Sequence, residues 1–249
     1  MLRSVKSLSS QKLKARDGEI GHCKDFLFDD QFWTVRYMVA STGSWLTGRK
    51  VLISPMSVAG SDWKNGFFEI NLTKAEIEHA PPLDEDAPVS RQYEIRWTKH
   101  YSTTAYWVGP YAWGSSEYPI GLPPQGVKDD IVINPDSDQD KNLRSTNEII
   151  GYKISASDDE IGHVEDFILD DENWTIRYIV VDTRNWLPGR KVLVSHLWIE
   201  FISWPERKVM INLTREQIEK SPEYDPSAPV NREYEEQLYD YYGRPKYWK

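Results

Sequence analysis

One stretch of the chain occurs twice. Asp29-Asp30-Gln31-Phe32-Trp33-Thr34-Val35-Arg36-Tyr37-Met38-Val39-Ala40 is followed by Trp45-Leu46-Thr47-Gly48-Arg49-Lys50-Val51-Leu52-Ile53-Ser54. The same order returns as Asp170-Asp171-Glu172-Asn173-Trp174-Thr175-Ile176-Arg177-Tyr178-Ile179-Val180-Val181, then Trp186-Leu187-Pro188-Gly189-Arg190-Lys191-Val192-Leu193-Val194-Ser195. The offset of 141 residues also links Leu2-Arg3-Ser4 to Leu143-Arg144-Ser145 and Tyr106-Trp107 to Tyr247-Trp248, with no gap. Two long copies make a duplicated domain, not a solenoid. The expected organisation is repeat 1 with its tail over 1–107, an aromatic then acidic connector over 108–141, and repeat 2 with its tail over 142–249.

Each repeat reads as a run of short strands. Leu8 and Ile149-Ile150, then Gln11 to Leu13 and Tyr152 to Ile154, fall in a first strand, and Ile20 to Phe28 and Ile161 to Leu169 in a second. The Asp-Asp pair breaks that strand, and Trp33 or Trp174 opens the third. There Trp174, Ile176, Tyr178 and Val180 share one face by alternation. Ile179 and Val181 then make the other face apolar too, which suits a closed or strongly curled sheet. Arg49 to Ile53 and Arg190 to Val194 form the fourth strand. Further strands are expected at 56–58 and 197–200, and at 67–71 and 208–212. Thr73-Lys74-Ala75-Glu76 and Thr214-Arg215-Glu216-Gln217 are capping boxes that open short helices ending before Pro81 and Pro222. Residues 84–107 and 225–248 then lose periodicity and read as aromatic irregular tails. They share Ala-Pro-Val-x-Arg-x-Tyr-Glu and belong to the repeat. The expected fold class is mainly β: two tandem small barrels, each with a short C-terminal helix and such a tail.

In this order the strands, the Asp-Asp pair, the tryptophan and the Trp-Leu-x-Gly-Arg loop resemble the PRC-barrel family. The resemblance covers roughly 4–80 and 145–221. It rests on Asp17-Gly18-Glu19-Ile20-Gly21, Asp25-Phe26, Asp29-Asp30, Trp33 to Tyr37 and Gly48 to Ser54, with their second-copy equivalents. The family includes the cytoplasmic part of the photosynthetic reaction-centre H subunit and the C-terminal domain of the ribosome maturation factor. It implies a small β-barrel that binds and assembles, with no catalytic residue set. The chain lacks the H subunit's membrane helix and the maturation factor's N-terminal domain. Fold alone does not assign function.

Composition narrows the classes. Residues 1–107 carry 14 basic and 13 acidic side chains, and residues 142–249 carry 14 and 20. An acidic second half argues against broad nucleic-acid binding and against docking on anionic lipid. No apolar run approaches the roughly 18 residues of a membrane span. Met1 to Lys6 has no apolar core of a secretory signal, and the lone Cys23 fits a reducing compartment, so the expectation is cytoplasmic. Val164 stands at the position equivalent to Cys23, which marks Cys23 as a packing residue.

No residue set points to chemistry. Asp136-x-Asp138-x-Asp140 begins like a calcium loop, but Lys141 and Asn147 stand where glycine and glutamate are required. His22 and His163 have no recurring second histidine, and zinc needs three or four converging ligands. Asp29-Asp30 and Asp170-Asp171 are adjacent in a turn, where aspartate bonds its own backbone. No nucleophile-elbow, P-loop, dinucleotide or zinc-protease motif occurs. The expectation is therefore no enzyme, no metal and no cofactor.

The candidate interaction surface is Trp45, Leu46, Arg49, Trp186, Leu187, Arg190, Trp107, Tyr111, Trp113 and Tyr118, because interface hot spots favour Trp, Tyr and Arg. The favoured alternative for the Trp-Leu loops is that the rings fold back over their own repeat. The expected function is a cytoplasmic protein-binding or assembly module with an unknown protein partner. Packing of the two barrels on each other is expected, and a homo-oligomer is left open. One alternative is small-molecule or saccharide binding, with enzymatic consequence or without, in an aromatic cleft between the barrels. The other is an electron-transfer accessory like the reaction-centre relative.

Overall fold

The computed structural model describes residues 1–43, 45, 46, 48–83, 89–120, 143–183 and 190–248. In the first copy β1 (Leu2–Ser4) runs into a one-turn helix α1 (Val5–Leu8). Then come β2 (Lys12–Ala15), β3 (Gly18–Asp29), β4 (Thr34–Ser41), β5 (Lys50–Ile53), β6 (Val58–Asp62), β7 (Phe67–Ile70) and helices α2 (Lys74–Glu78) and α3 (Arg91–Tyr101). The second copy repeats the order as β8 (Leu143–Ser145), α4 (Thr146–Ile149), β9 (Lys153–Ser155), β10 (Glu160–Asp170), β11 (Thr175–Asp182), β12 (Lys191–Ser195), β13 (Ile199–Ser203), β14 (Lys208–Ile211), α5 (Arg215–Glu219) and α6 (Arg232–Tyr242). Of the strands expected at 56–58 and 197–200, Met56, Ser57, Leu197 and Trp198 lie in 3-10 turns, and Val58, Ile199 and Glu200 lie in β6 and β13; Leu8 and Ile149, also expected in strand, end one-turn helices. The protein is mainly β, with mixed pairing and short helices.

The chain divides into two compact units. One comprises Met1–Lys6, Thr146–Asp171 and Thr175–Lys249; the other comprises Ser7–Ser145 and Glu172–Trp174. In the Ser7–Ser145 unit the ladder runs β5-β4-β3-β2-β7-β6, with β2 and β7 parallel. The long β3 takes β2 on its first half and β8 on its last three residues. In the Thr146–Lys249 unit the ladder runs β12-β11-β10-β9-β14-β13, and β1 lies on β10 where β8 lies on β3. The ladders are open. Among the described residues no pairing joins β5 to β6 or β12 to β13, so the strand pairing does not draw the expected closed barrel.

β4 and β11 are the centre of each core. Thr34 to Ala40 are buried without interruption, and in β11 only Arg177 is not. That continuous burial explains the apolar run on both faces. Gly21 and Gly162 have φ of 125° and 144°, and a Cβ there would lie 1.9 Å from Ser41 O and 2.0 Å from Asp182 O. The repeated Ile-Gly-His is therefore a close approach of two strands that admits only glycine. After the Asp-Asp pair, Trp33 and Trp174 adopt left-handed φ of 53° and 62°. This is strained for an aromatic residue. Burial compensates: Trp33 packs on Phe28 at 5.2 Å, and Trp174 lies 6.4 Å from Phe26 and 5.9 Å from Phe68.

The tails differ from the sequence reading. Each contains an 11-residue helix, α3 or α6, not an irregular aromatic segment. Ser90 and Asn231 cap these helices by accepting from Tyr93 N and Tyr234 N. Their buried faces are Tyr93, Glu94 and Trp97 in α3, and Glu235, Leu238, Tyr239 and Tyr242 in α6. The spacing is helical, but apart from Leu238 the stripe is supplied by tyrosine, tryptophan and glutamate.

Candidate functional site

The Arg-x-Tyr-Glu motif, repeated in the two tails, builds the same assembly in each unit. In α3, Glu94 is 1% exposed. Its carboxylate accepts from Tyr106 Oη at 2.8 Å and Tyr37 Oη at 3.2 Å, and pairs with Arg91 Nη1 at 2.9 Å. In α6, Glu235 accepts from Tyr178 and Tyr247 hydroxyls, both at 2.7 Å, and pairs with Arg232 at 2.9 Å. Arg91 lies 4.2 Å from the Trp107 ring centre and Arg232 4.2 Å from that of Trp248. Burial pushes the Glu94 carboxyl up to about 7, against the lowering influence of Arg91 and the two phenols. Both carboxylates are buried, whereas Arg232 is half exposed. Each assembly ties helix, sheet and tail together.

Beside it in the Ser7–Ser145 unit, Arg36 is also 1% exposed. Its guanidinium meets Asp29 at 3.0 Å, donates to Ala112 O, and lies 4.0 Å from the Tyr106 ring and 5.0 Å from the Trp113 ring. Trp113 is buried and donates to Asn173 O at 3.0 Å. Asp29 Oδ1 also accepts from Gln31 N and Phe32 N, the backbone-binding role read from the turn sequence. Trp107 and Trp113 thus join the packing around Arg91 and Arg36.

The other predicted surface residues scatter. Trp45 and Leu46 are half-buried, and the Lys74 ammonium lies 5.3 Å from the Trp45 ring. Arg49 donates to Glu78 O and Ala80 O, closing the end of α2, and Arg190 donates to Ser221 O at the matching place after α5. Trp186 and Leu187 lie outside the described residues. Tyr111 and Tyr118 are each about half exposed, as are Val108 and Ile120. The acidic part of the connector also lies outside the described residues.

Among the described residues no group of three or more His, Cys, Asp and Glu side chains could hold a metal ion. Cys23 is fully buried, and loss of water pushes its thiol far up. A surface hollow of about 240 Å³ is lined by Lys14, Arg16, Ala59, Glu69, Ile70 and Asn71, and Arg16 is already bonded to Asn71 at 2.9 Å. The outer face here differs between the copies, a feature that the repeat alignment contains but that sequence reasoning missed. The cross-strand pair Gly60 and Glu69 becomes Phe201 and Met210, and Phe201 is 56% exposed.

In comparison with known families, residues 141–218 match the PRC-barrel domain. No curated protein matches the chain. The PRC-barrel stretch starts with β8, whose place on β10 is taken by β1. It stops within α5, before α6 begins. No helix among the described residues is long and apolar enough to cross a membrane.

Proposed function

We propose that the chain is a non-enzymatic, cytoplasmic binding or assembly module made of two PRC-like units, each a curled open sheet. The tandem reading is supported by the 141-residue offset and by the same strand order in both copies. One observation carries the binding role. The two copies share a backbone plan, so each is a control for the other. Copy one builds its edge strand with Gly60 opposite Glu69; copy two builds the same strand with Phe201 opposite Met210. The fold does not require an exposed phenylalanine there. β13 is also the last strand of its ladder, and an exposed apolar edge invites another chain. The partner is a protein that covers this edge.

The test is capture by the tagged full-length chain from its own cell extract, beside Phe201→Gly and Met210→Glu. These variants install the residues with which copy one folds. A partner retained by the wild type and reduced at least tenfold by both variants supports the reading. Equal capture by all three chains, or turnover of a substrate by the purified protein, would sink it.

A further inference from the structure

The strongest lead is the pair of three-residue strands that open the two copies. β1 seats on β10 in the register Leu2–Asp170, Arg3–Leu169, Ser4–Ile168; β8 seats on β3 in the register Leu143–Asp29, Arg144–Phe28, Ser145–Leu27. Under the 141-residue offset these registers are the same. The two donor strands are also identical in sequence, Leu-Arg-Ser. Their grips match atom for atom. Arg3 Nε meets Asp171 at 2.5 Å and Arg144 Nε meets Asp30 at 3.1 Å. Ser4 Oγ donates to Asp166 at 2.5 Å and Ser145 Oγ donates to Asp25 at 2.6 Å. In both cases the donor comes from the other copy's stretch of sequence: Met1–Lys6 is grouped with Thr146–Lys249, and Leu143–Ser145 with Ser7–Ser145.

From this we infer that the last residues of β10 are a strand-acceptor site for an extended Leu-Arg-Ser segment, and that a second copy of the chain can fill it. The acceptor recognises its strand by a carboxylate for the guanidinium, a carboxylate for the hydroxyl and the strand's backbone. None of these depends on which chain the donor belongs to. Own and foreign β1 make the same contacts, so concentration decides between them. An attached donor has an effective concentration on the order of millimolar. Exchange between chains would then be comparable to self-occupancy near ~1 mM protein and about one site in a hundred near ~10 µM. This goes beyond capture of a foreign protein at β13 and fails separately from it, because neither Phe201 nor Met210 takes part.

The test uses full-length chains in a Cys23→Ser background. One carries Leu2→Cys and the other Asp170→Cys, two positions paired across β1 and β10. They are mixed near 1 mM and oxidised gently. The expected product is a disulfide-linked mixed dimer, at least tenfold over either like-with-like dimer. Adding Asp166→Asn and Asp171→Asn to the acceptor chain should bring it down to the like-with-like level. One chain bearing both cysteines checks that the register survives substitution, since it must close an internal disulfide. A second measurement needs no substitution: native mass spectrometry of isotopically labelled and unlabelled wild-type chain, expected to show mixed dimers that grow with concentration. Mixed disulfide dimers no more abundant than like-with-like ones, with the internal disulfide intact, or no mixed dimer near 1 mM, would overturn the inference.

Discussion

At the scale of single residues, the most consequential group is Glu94, a carboxylate sealed under a helix with two phenols and one guanidinium. Its folded pKa of about 7 lies above the ordinary glutamate value near 4.3. The folded state therefore holds a proton that the unfolded chain gives up. Its contribution to stability is complete below about pH 4.3 and is lost as pH rises toward 7 and through it. The loss is on the order of 3 kcal/mol. Glu94→Gln should flatten the fall in urea midpoint between pH 4.5 and 7.5; equal slopes in variant and wild type would rule out this carboxyl as the source. Arg36 gives a paired comparison with its equivalent. It is 1% exposed against 16% for the Arg177 side chain, and its partner Asp29 is buried as well. Removing one member of a buried pair costs about 3–5 kcal/mol and an exposed pair is worth at most about 1; the half-buried Arg177–Asp170 pair lies between these limits. Arg36→Met should lower the melting temperature more than Arg177→Met, measured by calorimetry on the two purified variants. Asp29 and Arg36 could be read from the sequence as residues of a turn and a strand. That they meet Trp113 could not, because 77 positions separate Arg36 from that ring.

At the scale of elements, the strands and the two capped helices α2 and α5 were legible because their chemistry is local. Thr73 and Thr214 each form the full capping box that their sequence announces. Helices α3 and α6 were not legible, for a physical reason. Their buried stripes are mostly large aromatics and a glutamate, with Leu238 the one aliphatic residue, so an apolar-periodicity reading weakens just where the packing is densest. The signals that remain are Ser90 and Asn231 at the caps and Gly243 at the end of α6. Gly243 has φ 61°, and nothing lies within 4 Å of a Cβ built on it; Ser102, which precedes Thr103 after α3, has φ 50°. The two helix ends thus solve the same left-handed cap with different residues. Glycine meets it without steric penalty and serine does not. Gly243→Ala should cost about 1 kcal/mol, and Ser102→Gly should be neutral or stabilising by up to ~1 kcal/mol. Chemical denaturation of both variants checks the pair; a loss of stability from Ser102→Gly would show that the serine side chain, not the backbone angle, holds the cap.

At the scale of the whole molecule, the duplication was plain in the sequence, and the membership of each unit was not. The reason is specific. β1 and β8 are the same tripeptide and their acceptors offer the same aspartates, so no residue says which sheet receives which strand. The structure places β1, at the head of copy one, on β10 within the PRC-barrel stretch of copy two. A substitution in β1 must then be felt some 165 residues away along the chain and not in the strands that follow it. Arg3→Ala with Ser4→Ala removes the bonds to Asp171 and Asp166. Hydrogen bonds of this kind contribute about 1–3 kcal/mol when a charged group is involved. Partly exposed contacts open locally, without unfolding the sheet. Amide hydrogen exchange should therefore quicken by roughly tenfold or more over residues 166–171 and stay unchanged over residues 25–30. The mirror variant, Arg144→Ala with Ser145→Ala, should do the reverse through Asp30 and Asp25. If instead each pair of substitutions loosens the acceptor in its own copy, β1 on β3 and β8 on β10, each strand belongs to the copy that encodes it. The exchange of strands, and the mixed dimer inferred from it, would then be wrong.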